Sequence, residues 1–308
     1  MASLAHKVTR LTLSQLERMA PAVSGRLAFE LFCLTPSRRP KGSKAREAFD
    51  VGRERLRGAI VTKLALSKGM AAMHHWPQSS GDPSPARVLV VHGWGSRAEY
   101  LSALAVGLRQ AGADVVLLDL PGHGASSGRR LDLRIATEAI LAAERQFGAF
   151  DGVVGHSFGG AAVMMAAGGV FADIGTLKAR RIALIGSPSS MADVFNGFAK
   201  SVGLGRTSIA AMRSRAFDLV GCSVDELDGV AVARRIDRPL LVVHAEDDKE
   251  VHVGHAQRYI GVSPHVRHLW ANGHGHRRIV SAAEVISAVG DFLLREMPPH
   301  ESVRRASS

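Results

Sequence analysis

Apolar and polar positions change rhythm twice along this chain. Residues 11–34, LTLSQLERMAPAVSGRLAFELFCL, set Leu27, Leu31 and Leu34 at helical spacing. Pro21 and Gly25 are expected to divide that stretch into two helices. Residues 35–44, TPSRRPKGSK, read as a loop on composition. From about residue 59, short β-rich runs alternate with longer Ala/Leu-rich helical patterns, the mark of a mostly parallel sheet covered by helices. Strands are expected near 59–66 and 70–76, at Val88–His92, Val115–Asp119 and Gly152–Gly155, and near 181–186, 239–244 and 266–270. Helices are expected at about 97–111 and 132–147, and a turn-rich linker, PQSSGDPSPA, at 77–86. Continuous apolar runs of this kind suit strands buried on both faces. The segment 188–236 breaks the alternation, with Met191, Val194, Phe195 and Phe198 at helical spacing and Ile209, Met212 and Phe217 further on. It reads as an insertion of two or three helices, for which a lid is the natural role. The expected division is a basic helical extension (1–58), a first core segment (59–187), the helical insertion (188–236), a second core segment (237–297) and a flexible tail (298–308).

Composition adds exclusions. With 308 residues, 46% hydrophobic and 22% charged, the chain is a globular protein rather than a disordered one. It is long enough to complete a core without disulfides. Its two cysteines, Cys33 and Cys222, have no partners at metal-ligand spacing and read as isolated thiols in a reducing compartment. No stretch approaches 18 uncharged apolar residues, and Lys7, Arg10, Glu17 and Arg18 interrupt any secretory pattern. Glu17 and Glu30 also weigh against a transit peptide, so the expected location is cytoplasmic.

The net charge of +11 invites a nucleic-acid hypothesis, but residues 1–57 hold twelve basic and five acidic residues, +7 of that total. Only 5% of the chain is aromatic, which leaves few platforms for stacking bases. The expectation is a solvated basic arm and no specific nucleic-acid reading. Weak contact with an anionic membrane or an acidic partner is the second use of such an arm.

Candidate chemistry concentrates in three places. Gly155-His156-Ser157-Phe158-Gly159 is a G-x-S-x-G sequence that follows an expected strand and opens an expected helix. Ser157 would sit on a sharp turn with an unfavourable backbone conformation, where side chains at 155 and 159 would clash. The helix behind it would offer its positive end to a developing oxyanion. His92-Gly93-Trp94-Gly95 ends another buried strand, and Trp94 N–H with Phe158 N–H is the expected oxyanion-hole pair. His92 reads as a core histidine, and His123, in the turn after Asp119, as a structural one.

The order HGWG, LDLPGHGASSG, GHSFGG resembles the α/β-hydrolase fold superfamily over roughly residues 59–295. The resemblance implies a mostly parallel central sheet of about eight strands flanked by helices, with a Ser–acid–His triad in that chain order. The family's acid follows a late strand in a pattern like H-G-x-x-D-x-x-V. The matching stretch, His244 to Val251, has alanine in place of the glycine. Register points to Asp248, and one residue of slip would select Asp247. The loop Asn272 to Ile279 offers two histidines: a G-x-G-H ending selects His276, a plain G-H ending His274. An H-x-H metal site would lack a third ligand of definable spacing, so neither metal nor organic cofactor is implied.

A serine at the elbow disfavours the branches that use an aspartate there, haloalkane dehalogenases and epoxide hydrolases. The resemblance then implies a serine hydrolase, foremost a carboxylesterase taking a small-molecule ester or acyl substrate. An acyltransferase or cofactor-free perhydrolase with the same triad, or a binding protein on this fold, are the alternatives. Phe195, Phe198, Met212 and Phe217 are candidates for an apolar acyl pocket; burying the insertion is their other use. Oligomeric state leaves no sign in the sequence.

Overall fold

The computed structural model describes residues 4–76, 85–295 and 304–305. Residues 77–84 of the expected 77–86 linker and nearly all of the expected tail lie outside them. Strands form at β1 (Ile60–Ala65), β2 (Met70–His75), β3 (Arg87–Val91), β4 (Asp114–Asp119), β5 (Gly152–His156), β6 (Arg181–Ile185), β7 (Leu240–His244), β8 (Val266–Trp270) and the two-residue β9 (Arg304–Arg305). The helices are α1 (Leu4–Met19), α2 (Pro21–Phe32), α3 (Ser43–Arg55), α4 (Ser102–Gln110), α5 (Leu133–Phe147), α6 (Phe158–Ala167), α7 (Met191–Val202), α8 (Arg206–Val220), α9 (Gly229–Arg235), α10 (Gly254–Gln257), α11 (Gly275–Arg278) and α12 (Ala283–Leu294).

The chain divides into two units, Thr35–Ser189 with Gly229–Ser308, and Met1–Leu34 with Ser190–Asp228. The first holds one sheet in the order β1-β2-β4-β3-β5-β6-β7-β8-β9. Only β2 runs against the others, pairing antiparallel with both β1 and β4. The apolar strands β3, β5 and β7 are buried because α4 and α12 cover one face, where Leu104, Leu108, Val285 and Phe292 pack on Val90, Val154 and Leu241. Helix α6 is apolar all round, and every residue of it after Phe158 is buried. Asp132 starts α5 by accepting the Ile135 N–H at 3.0 Å. Such α/β sheets carry their ligands at the carboxyl ends of the strands. The residues after β3, β4, β5, β7 and β8 are the ones the motifs singled out.

Segment 35–58 joins this unit rather than a separate basic extension. Gly52 in α3 is so close to Glu99 that a Cβ would lie 2.1 Å from its carbonyl oxygen. The Arg97 guanidinium sits 4.4 Å over the Phe49 ring. Arg38 is exposed, but it donates to the carbonyls of Gly122, at 3.2 Å, and Gly128.

The second unit is helical. Its core joins Leu13, Ala28 and Phe29 of α1 and α2 to Phe195, Ala199 and Met212 of α7 and α8. Pro21 breaks α1 from α2 at the first turn of the latter, where its missing N–H costs nothing. Gly25 does not break the chain. It lies inside α2, where a Cβ would come 2.1 Å from the Ser208 carbonyl oxygen, so it serves the close approach of α8. Glu17 accepts from the Gly205 N–H at 3.1 Å and from the Ser208 hydroxyl, and Arg215 pairs with Glu30 at 2.9 Å. Ser190 caps α7, and Gly203 and Gly221 end α7 and α8 in left-handed conformations. The insertion is therefore narrower than expected, because α9 belongs with the sheet, its Val232 packed against Gly168. Among the described residues no helix is long and apolar enough to cross a membrane.

Candidate active site

Ser157 stands between β5 and α6 with φ 54° and ψ −126°, the one non-glycine with positive φ among the described residues. A strained backbone at a strand-to-helix turn needs enforcement by its surroundings. The Ser157 N–H donates to Ile185 O at 2.9 Å, and the Ser187 hydroxyl to Ser157 O at 3.0 Å. Glycines clear the space around it. A Cβ on Gly155 would lie 2.4 Å from the Gly160 Cα, and one on Gly159 2.4 Å from His92 O and 2.5 Å from Val91 O. Backbone atoms of β3 and its following residue cannot turn aside as a side chain can. Gly159→Ala is thus expected to destabilise by about 3 kcal/mol, the upper range of overpacking, read as a lower midpoint in urea denaturation.

His276, the second residue of α11, turns its ring toward Ser157. Its Nε2 accepts from the Ser157 Oγ hydroxyl at 3.0 Å and its Nδ1–H donates to Asp248 Oδ2 at 2.7 Å. Asp248 Oδ1 in turn accepts the N–H groups of Glu250 and Val251 at 2.8 and 2.9 Å. Burial alone would raise the Asp248 pKa. The hydrogen bond from His276 and the two amides outweigh it and hold the carboxyl below its ordinary value.

The alternatives raised by the sequence have other partners. Asp247 Oδ1 accepts the Gly273 N–H at 2.9 Å and so ties the loop after β7 to the loop after β8. His274 Nε2 pairs with Glu284 at the surface.

Behind this chain stand three histidines. His156 Nε2–H donates to the His276 carbonyl at 2.9 Å. Burial first, then the charge of His276, lowers its pKa to about 4, so it is a neutral prop. His244 Nε2–H donates to Val251 O at 3.0 Å from beneath the Asp248 loop, and burial lowers its pKa. His92 is the buried backbone-binding residue expected, its Nε2 accepting the Leu120 N–H at 3.0 Å.

Gly93 comes so near Ser157 that a Cβ would lie 2.6 Å from the serine Cβ. Trp94 and Phe158, whose rings meet edge to face at 5.8 Å, flank the serine. Among the described residues neither Trp94 N–H nor Phe158 N–H has an acceptor. Two donors beside one hydroxyl suit a developing oxyanion.

Phe195 and Met212, at 4% and 0% exposure, are spent in the core of the helical unit. Phe198 packs against that core, with its ring 5.2 Å from Phe32. Phe217 is 53% exposed. Phe195, Phe198 and Met212 thus pack within their own unit, and Phe217 does not. Helical spacing marks an apolar face, but it does not say that α1 and α2 cover it.

Sequence reasoning also passed over Ser187 and Gly186 after β6. Gly186 has φ 55°, and a Cβ there would face Asp248 Oδ2 and His276 Nδ1, both at 3.4 Å. A glycine directly after an apolar strand was the available sign. The buried His74–Asp119 pair at 2.9 Å was missed as well. Burial disfavours its charged form, but the mutual hydrogen bond and attraction prevail, raising the His74 pKa and lowering that of Asp119. Among the described residues no group of His, Cys, Asp or Glu could hold a metal ion.

A model of the alpha/beta hydrolase family matches residues 88–289, and the chain belongs to that family. Several solved structures are similar in fold. An esterase from Rhodococcus sp. superposes with a TM-score of 0.55 at 16% identity, over 77% of this chain and 98% of that one. A bromoperoxidase from Bacillus anthracis gives 0.55 at 14%, over 76% and 99%. A proline iminopeptidase from Mycobacterium smegmatis gives 0.55 at 16%, over 76% and 97%. At such identities the likeness is one of fold, and the three differ in activity. No protein of curated function matches the sequence.

Proposed function

We propose that this protein is a serine hydrolase that cleaves a carboxylic ester through an acyl-enzyme, with Ser157 as nucleophile, His276 as base and Asp248 as acid. The observation that carries the reading is the unbroken hydrogen-bonded chain from Asp248 through His276 to Ser157 Oγ, with links of 2.7 and 3.0 Å. As Ser157 Oγ bonds to the acyl carbon, its proton passes to His276 Nε2 and the carbonyl electrons move onto oxygen. Trp94 N–H and Phe158 N–H stabilise that oxyanion, each donor being worth about 3 kcal/mol in such sites. Its collapse expels the alcohol, which takes the proton from His276. Water then repeats the sequence on the acyl-enzyme and releases the acid. Asp248 keeps Nδ1 protonated, leaves Nε2 free to accept, and stabilises the imidazolium.

The test is a panel of p-nitrophenyl esters of increasing chain length together with a fluorophosphonate probe. Turnover and a covalent adduct in the wild type, both absent in Ser157→Ala, are the expected results. Folded wild-type protein that forms no adduct and turns over no ester would overturn the reading.

A further inference from the structure

His123 stands outside the chain that ends on Ser157, yet it is 3% exposed and both its ring nitrogens are engaged. Its Nδ1–H donates to Pro121 O at 3.1 Å, which leaves Nε2 as an acceptor for the Gly95 N–H at 2.9 Å. Gly95 has φ 69° and closes the turn that contains Trp94. His92 holds the other side of that turn, its Nδ1–H donating to Gly93 O at 2.7 Å. The Ser96 N–H donates to the same oxygen at 3.2 Å. In a trans peptide the carbonyl and the N–H point in opposite directions. Fixing Gly93 O therefore aims the Trp94 N–H, and fixing the Gly95 N–H stops the next peptide from rotating it away.

The His123 loop is itself anchored. Gly122 O accepts from Thr35 Oγ1 and from Arg38 Nε, both at 3.2 Å. The His123 ring also meets the Trp94 ring edge to face at 5.8 Å.

Resting on the hydrolase reading above, we infer that His123 is a positioning residue for the oxyanion hole, its Nε2 lone pair clamping the Gly95 amide and so holding the Trp94 N–H on the reacting oxygen. A protonated ring would set one donor against another, and the site prevents this: burial first, then the nearby His92, lowers the His123 pKa to about 3.

The test compares His123→Leu, His123→Asn and His123→Gln on a p-nitrophenyl ester. Gln carries its carbonyl about as far out as Nε2; Asn is polar but one methylene too short. Misplacing an oxyanion donor costs on the order of 10–100-fold in kcat. The Leu and Asn variants are expected to lose that much with KM changed by less than about threefold, and Gln to recover most of it. Affinity for an alkyl trifluoromethyl ketone, whose hemiketal oxyanion would occupy the same hole, should fall in parallel with kcat/KM. The limb of the pH–rate profile that reports His276 should not move. If His123→Leu fails to fold, the Asn and Gln pair decides. Equal activity in Asn and Gln, or a loss borne by KM, overturns the clamp while leaving the hydrolase reading intact. A wild-type enzyme inert to both ester and fluorophosphonate overturns the two together.

Discussion

Replacing Ser157 with alanine is expected to lower kcat on a p-nitrophenyl ester by roughly 10⁶-fold, and replacing His276 to do nearly the same. The two act as a unit, so the double variant should be little worse than either alone. Stability should hardly change for Ser157→Ala. The hydroxyl's one acceptor in the described structure is His276 Nε2 at 3.0 Å, which can bind water instead. The decisive contrast is His274→Ala. That ring pairs with Glu284 at the surface and touches no part of the chain leading to Ser157, so activity should stay within about threefold. Steady-state kinetics on the three single variants, with circular dichroism as the folding check, measures this. A His274 variant as inactive as His276→Ala would mean that the loop after β8 adopts a different register in solution.

Asp248→Asn is expected to reduce kcat by about 10⁴-fold, because an amide can donate to Nδ1 and favour the wrong tautomer of His276. Asp247→Asn should retain activity, since its oxygen serves the Gly273 N–H. The pH dependence has a definite sign. Asp248 is held below its ordinary pKa in the folded chain, burial being outweighed by His276 and the two amides. A depressed carboxyl contributes stability above its unfolded value, about 4, and loses it as pH falls through the lower folded value. The stability gap between wild type and Asp248→Asn should therefore be full at pH 6 and shrink under strongly acidic conditions. Denaturation at a series of pH values measures it, and a gap that widens toward acid would reverse the assignment.

The parts of this molecule that could be read from the sequence are those governed by local rules. Runs such as Val88–Val91 and Leu240–Val243 are apolar throughout because both faces of those strands are covered, and they form within a residue or two of where they were expected. The elbow was legible because a residue at φ 54° needs glycines around it, and they stand at 155 and 159. His276 and Asp248 were preferred through pattern rather than physics. Nothing local separates them from His274 and Asp247; which side chain turns inward depends on how the loops after β7 and β8 brace one another. Partners distant in sequence were not legible at all. Phe195 offers an apolar side chain at helical spacing, but nothing around it announces Phe29 and Phe32 as its neighbours. Arg38 is a surface charge in the structure as in the sequence, but nothing near it in sequence announces its tie to the Gly122 carbonyl.

The helical unit draws its core from two stretches made at different times. Helices α1 and α2 leave the ribosome long before α7 and α8, which supply Phe195 and Met212 to that core. Until then Leu13 and Phe29 lack the neighbours that α7 and α8 supply, so the core is completed late and through contacts of long sequence separation. During synthesis its early helices expose apolar surface, the condition under which partly made chains aggregate.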